Sequence, residues 1–271
     1  MNRYLRLFRL GNAVIGFIGV IAGAFIAAGL DIGGYWVNIA IACMIVIAVV
    51  AGGNSVNDYV DREIDKTAHP ERPIPMGEIA PGRALGIGLA SLALACIVSV
   101  LMGSLLLTAI VVAACTLMVL YEMVLKQRGF VGNLTIGALT GMVFLFGGAV
   151  VDNPADVAVF AIMAFLATTG RELAKDIEDM EGDEGRSTLP MRIGEGKAAI
   201  ASAVFFIAGP LLSLWPFLDG QLGVPYLTVL IADAMFIYAA WIVFRNPHEA
   251  QKTAKIAMFA ALVAFVLGAL S

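Results

Sequence analysis

The sequence predicts an all-α, polytopic membrane protein of about nine transmembrane helices, and three observations carry that prediction. Hydrophobic residues make up 60% of the 271 and charged residues only 14%, against roughly 45–50% and 25% in a soluble domain; the mean hydropathy is +0.90. The apolar residues fall in runs near 10–30, 36–57, 83–102, 104–122, 132–151, 155–175, 198–215, 225–244 and 253–270, close to the roughly 20 residues a helix needs to cross a bilayer. Finally, nine crossings sort the basic residues cleanly by side.

The first run, Leu10 to Leu30, follows Arg3, Arg6 and Arg9. It exceeds the roughly 7–15 apolar residues of a signal peptide and is expected to be retained. Gly33 and Gly34 part it from the second run, which ends in an acidic stretch. The third and fourth runs meet at Gly103 and Ser104, a junction so short that it must be a tight hairpin. Asn153-Pro154, Asp219-Gly220 and Asn246-Pro247 punctuate the later runs. Small-residue pairs Gly19/Gly23, Gly82/Gly86 and Gly137/Gly141 are expected to let helices approach closely.

With this layout all 17 Lys and Arg fall on one face. They lie at the N-terminus and in the second-to-third, fourth-to-fifth, sixth-to-seventh and eighth-to-ninth loops, while the other face keeps only Asp31, Asp152, Asp156 and Asp219. The positive-inside rule then makes the N-terminus cytoplasmic and puts Ser271 outside, in a multi-pass protein of the cell membrane. Cys43, Cys96 and Cys115 sit inside apolar runs without C-x-x-C spacing and read as packing residues. His69 and His248 have no His or Cys neighbours at ligand spacing, so no histidine metal site is expected.

Two acidic helix ends carry the chemistry. If the second helix continues, Asn57, Asp61 and Asp65 fall at i, i+4 and i+8 and stack one amide and two carboxylates along one stripe. The sixth run ends similarly, with Glu172, Asp176, Asp179 and Asp183 at i, i+4, i+7 and i+11. Like charges so spaced destabilise a helix unless something cationic neutralises them. Hard oxygens without thiolate or paired imidazole suit Mg²⁺, Mn²⁺ or Ca²⁺, and Mg²⁺ commonly binds through a few carboxylates plus substrate phosphates. An EF-hand is excluded because its D-x-[DN]-x-[DN]-G loop is missing. Either cluster alone reads as a solvated loop; two at matching positions on one face favour a diphosphate–metal site. Arg72, Lys126, Arg171 and Lys175 lie near the clusters and are candidates for binding diphosphate oxygens.

The stretch N-D-x-x-D-x-x-x-D over Asn57 to Asp65, followed by Arg72, Pro73, Pro75 and Gly77, resembles the first signature of the UbiA-type intramembrane prenyltransferases. The segment from Tyr121 to Lys126, with Gly132 and Asn133 beyond it, resembles the family's middle loop, and Asp176, Asp179 and Asp183 its second aspartate motif. The likeness covers essentially the whole chain. It implies a single domain over 1–271, its helices in one bundle with a central cavity, and Mg²⁺ as cofactor. The implied partners are a polyprenyl diphosphate donor, a lipid-like phosphate-bearing acceptor and membrane lipids, with no nucleic acid. By the same likeness Asn57, Asp61, Asp65, Asp176, Asp179 and Asp183 are metal ligands. Asp61, Asp65, Asp176 and Lys126 would carry catalysis. Arg9 and Asn12 match the family's first-helix Arg-x-x-Asn pair and, with Tyr121, would line the acceptor or cation pocket.

The second-motif segment most resembles the archaeal members that build ether lipids. That implies transfer of a geranylgeranyl group from geranylgeranyl diphosphate to the free hydroxyl of geranylgeranylglyceryl phosphate. Mg²⁺, Lys126 and Arg72 would stabilise the leaving diphosphate, and the apolar bundle would keep water from the allylic cation. The alternative within the family is prenylation of an aromatic acid or quinone precursor. A rival from another class is an ion-coupled transporter, whose acids should recur at midplane depth; Asp233 alone lies there. The nine apolar runs exclude soluble prenyl synthases, and no D-G-x-x-A-R core of an alcohol phosphatidyltransferase is present.

Overall fold

A computed structural model describes residues 2–180 and 188–270, and among them every regular element is helical. Nine long helices follow in order: α1 Leu10–Ala28, α2 Trp36–Val60, α3 Pro81–Leu101, α4 Leu105–Met123, α5 Phe130–Val150, α6 Ala158–Glu178, α7 Glu195–Ser213, α8 Val229–Ile242 and α9 Pro247–Ala269. Among the described residues eight stretches are long and apolar enough to cross a membrane; the first, Ala13–Val60, is 48 residues long and holds α2 and most of α1, parted by the 3-10 turns of Gly29–Tyr35. The chain is thus an all-α, multi-pass membrane protein.

Boundaries moved where local chemistry decided them. Helix α9 begins at Pro247 rather than near 253 because the Asn246 side chain accepts the Glu249 N–H at 3.0 Å, with Pro247 in the first turn. Helix α8 begins at Val229 rather than 225 because Pro225 lies in the 3-10 turn Val224–Thr228. The α3–α4 junction is the tight hairpin expected, with Gly103 at φ +74°, a backbone region that glycine enters without steric cost.

The helices fall into two compact units. The first comprises residues 1–21 and 34–123, the second residues 22–33 and 124–271. In the first unit α2 packs along α3, and α4 closes against both. The close approach is at Gly52 and Gly88: a Cβ on Gly52 would lie 2.8 Å from the Leu92 side chain and 3.0 Å from the Gly88 carbonyl. The expected pair Gly82/Gly86 instead meets nothing within 4 Å, because a small-residue spacing marks a helix face without saying which neighbour covers it. At the end of this unit a short helix, Arg3–Phe8, buries Leu7 against Ile74, Ile79 and Ala84. The N-terminus and the loop after α2 therefore share one small core.

In the second unit α6 packs against α5, α7 and α9, and α8 against α7 and α9. Gly137 and Gly141 act as expected: added Cβ atoms would lie 2.8 Å from the Phe165 carbonyl and 2.7 Å from that of Ala161. Phe160 and Phe265, edge to face at 4.8 Å between centroids, centre one apolar cluster with Tyr226. Phe206 and Phe236 centre another. Asp233 is buried on α8, where it accepts the Ser213 hydroxyl at 2.7 Å, while Tyr226 donates to the Ser213 carbonyl. Cys43 and Cys115 are buried and all three cysteines are free, in keeping with packing roles.

Candidate active site

The first acidic cluster forms where α2 runs out. The helix stops at Val60, so the continuous stripe expected from Asn57 to Asp65 is broken. Its spacing survives as backbone bonds: the Asp61 N–H reaches the Asn57 carbonyl at 2.9 Å and the Asp65 N–H the Asp61 carbonyl at 2.8 Å. A one-turn helix, Asp65–Ala68, follows. Like charges at i, i+4 disfavour a regular helix through this stretch, and the turn lets each carboxylate take a separate partner.

Arg9 donates to Asn57 Oδ1 at 2.9 Å and ion-pairs with Asp58. Arg72 donates to Asp65 Oδ2 at 2.5 Å and lies 3.8 Å from Asp58 Oδ1. Asn57 Nδ2 donates to Asp61 Oδ2 at 3.1 Å and to Glu122 Oε2 at 2.7 Å. The four carboxylate residues are buried, with Asp58 1%, Asp65 2%, Glu122 7% and Asp61 9% exposed. Carboxylates so desolvated persist as ions only beside cations and donors. Arg9 itself sits in the left-handed region at φ +47°, where a residue with a side chain is held only if its contacts outweigh the strain. Outside the cluster, the exposed Glu63 accepts from Lys66 at 2.6 Å, and that ammonium holds its carboxyl below the ordinary value.

Two members of this cluster escape a reading of the sequence. Asp58 lies beside Asn57 but off the i, i+4 stripe, and Glu122 is a single acid at the end of an apolar run, next to Tyr121. Its isolation at a spanning-helix end was the available signal. Tyr121 is half-buried one residue earlier on α4. Arg72, expected to meet diphosphate, is engaged with Asp65 and Asp58, and Arg9 meets the acids as well.

The second cluster lies in the other unit. Helix α6 ends at Glu178, and Asp179 caps it with its N–H on the Lys175 carbonyl at 2.9 Å. Asp176 Oδ2 accepts from Nδ2 of the buried Asn133, on α5, at 2.9 Å. Arg171 pairs with its neighbour Glu172 at 2.6 Å, and Lys175 and Asp179 are exposed. Glu178 turns to α9, meeting His248 Nδ1 at 2.5 Å and Gln251 Nε2 at 3.3 Å. Lys126 is half-buried on the 3-10 turn Leu125–Gln127. Gly132 lets that turn lie against α5, since a Cβ there would come within 2.9 Å of the Leu125 carbonyl. Asp183 and the side chain of Asn12 lie outside the described residues.

Among the described residues no three His, Cys, Asp or Glu side chains converge as a ready metal cage. The donors nevertheless fit Mg²⁺, which keeps several waters and takes one or two carboxylates plus substrate oxygens rather than an all-protein shell. Among the described residues no hydrogen-bond donor reaches the buried Asp58 Oδ2, a state that neighbouring positive charge stabilises.

The chain is thus a polytopic all-α membrane protein with buried carboxylates held by guanidinium groups at the end of a membrane-spanning helix. The UbiA prenyltransferase family model matches residues 16–263, and the chain belongs to that family. The digeranylgeranylglyceryl phosphate synthase of Methanopyrus kandleri is 37% identical to it over 98% of this chain and 98% of its own. A structure concerned with digeranylgeranylglyceryl phosphate synthase in membranes superposes with a TM-score of 0.87 at 34% identity, covering 99% of this chain and 98% of that one. A UbiA homologue from Archaeoglobus fulgidus bound to GPP and Mg²⁺ shares the fold, with a TM-score of 0.73 at 14% identity over 99% of both chains.

Proposed function

We propose that this chain transfers a geranylgeranyl group from geranylgeranyl diphosphate to the free hydroxyl of geranylgeranylglyceryl phosphate, with Mg²⁺ as cofactor, as one prenyltransferase domain over residues 1–271. The observation that carries the reading is the buried Asn57–Asp65 cluster at the end of a spanning helix, in a chain alike over nearly its full length to a digeranylgeranylglyceryl phosphate synthase. The bound GPP and Mg²⁺ of the Archaeoglobus fulgidus homologue support a prenyl diphosphate donor and a divalent cation.

Asn57, Asp61, Asp65, Asp176, Asp179 and Asp183 hold the metal in this reading, with Asp61, Asp65, Asp176 and Lys126 central to catalysis. Bound Mg²⁺ supplies electrostatic stabilisation of the departing diphosphate. Lys126, Arg72, Arg171 and Lys175 meet the diphosphate oxygens, and Arg9, Asn12 and Tyr121 line the acceptor pocket. Apolar helices hold the isoprenoid tails and exclude water from the allylic carbon as its C–O bond breaks. The acceptor hydroxyl forms the new C–O bond and gives up its proton, and pyrophosphate leaves. In this reading the N-terminus and the clusters face the cytoplasmic side of the cell membrane and the C-terminus lies outside, a placement supported by the gathering of Lys and Arg in alternate loops.

An acceptor panel tests this. Purified protein with Mg²⁺ and labelled geranylgeranyl diphosphate is expected to prenylate geranylgeranylglyceryl phosphate and to leave 4-hydroxybenzoate, homogentisate and dihydroxynaphthoate unlabelled. Labelling of an aromatic acceptor in preference to the glyceryl phosphate would replace this reading with the quinone-precursor alternative.

A further inference from the structure

We infer that Glu122 is a positioning residue of the first cluster: through Asn57 it sets the direction in which Asp61 presents its carboxylate. The inference rests on the proposal that this cluster binds a divalent cation. The Asn57 amide lies between groups of opposite hydrogen-bonding character. Arg9 only donates and reaches Oδ1 at 2.9 Å; the Glu122 and Asp61 carboxylates accept and lie 2.7 and 3.1 Å from Nδ2. Turning the amide over would set its NH₂ against a guanidinium and its oxygen against two carboxylates. Chemistry therefore fixes its orientation. The two Nδ2 hydrogens serve one carboxylate each, and the bond to Glu122 is the shorter.

Glu122 comes from the end of α4, 65 residues from Asn57, and is 7% exposed. Packing alone would be served there by an apolar side chain, since a buried carboxylate is costly. What Glu122 adds is a fixed acceptor for the amide, which aims the second Nδ2 hydrogen at Asp61. The Asn57 oxygen, with two lone pairs and one taken by Arg9, keeps acceptor capacity for a cation. Partners that orient a metal ligand typically change metal affinity by about 10–100-fold when removed.

Glu122→Gln and Glu122→Asp separate positioning from charge. Glutamine keeps the side-chain length and an oxygen that accepts from Asn57 Nδ2; aspartate keeps the charge but withdraws the carboxylate by one methylene. The measurement is Mn²⁺ binding to purified protein in the presence of inorganic pyrophosphate, read as free Mn²⁺ by electron paramagnetic resonance, with Glu63→Gln as the exposed control. Mn²⁺ affinity is expected to fall about tenfold or more in Glu122→Asp and to stay near wild type in Glu122→Gln and Glu63→Gln. The reverse order, or no change in either Glu122 variant, overturns the inference. Wild-type protein that binds no Mn²⁺ overturns the metal-site reading itself, a result distinguishable from failure of the Glu122 argument alone.

Discussion

Asp61→Ala is expected to lower prenyl transfer by at least about 100-fold, the scale seen when one group that stabilises developing charge is removed, and Asp176→Ala to do the same. Asp61 receives Asn57 Nδ2 in the first unit, and Asp176 receives Asn133 Nδ2 in the second. Each is thus a carboxylate held by a side-chain amide at the end of a spanning helix. Loss should appear in turnover under saturating donor, with the protein still folded, because the pairs Arg9–Asp58 and Arg72–Asp65 remain intact in both variants. Residual Mg²⁺-dependent turnover should rise with added metal if binding, rather than the chemical step, is what the substitution damages. Near-normal turnover in both variants would remove the metal clusters from the mechanism.

The largest stability effect is expected at Arg9. Asp58 is 1% exposed and its nearest other cation, Arg72, stands 3.8 Å away. Arg9→Met takes away the paired guanidinium and leaves a buried charge only partly compensated. Breaking a buried pair from one side typically costs about 3–5 kcal/mol, and the remaining Arg72 puts the expectation at the lower end. Thermal unfolding in detergent measures it. The double variant Arg9→Met/Asp58→Asn should recover most of the loss, because the penalty belongs to the orphaned carboxylate rather than to the missing arginine. If the double variant is no more stable than Arg9→Met, the ion pair is not what holds the N-terminal turn to α2.

Much of this architecture was legible in the sequence because a bilayer imposes a length on every helix and a side on every lysine and arginine. The Gly103 hairpin and the Gly137/Gly141 contact followed from turn chemistry and small-residue spacing. What escaped was set by tertiary partners. Gly82/Gly86 has the same spacing as Gly137/Gly141, yet among the described residues added Cβ atoms there would meet nothing within 4 Å, while the Gly52/Gly88 contact joins two helices and has no spacing to betray it. The acidic stripe was visible from Asn57 to Asp65, but a helical projection cannot foresee that the chain turns at Asp61, nor that Glu122 comes from another helix to share the Asn57 amide. Arg72 and Arg9 were visible as cations near the acids; that both are engaged by buried carboxylates depends on the fold of the N-terminal turn over the loop after α2.

The most direct measurement is pyrophosphate release by purified wild-type protein given geranylgeranyl diphosphate and geranylgeranylglyceryl phosphate. Release is expected in step with acceptor consumption when Mg²⁺ is present, and none when a chelator removes it. Release that continues undiminished without divalent metal would rule out metal-dependent prenyl transfer. So would its absence with every acceptor in protein that moves cations across liposomes, which would point to transport instead.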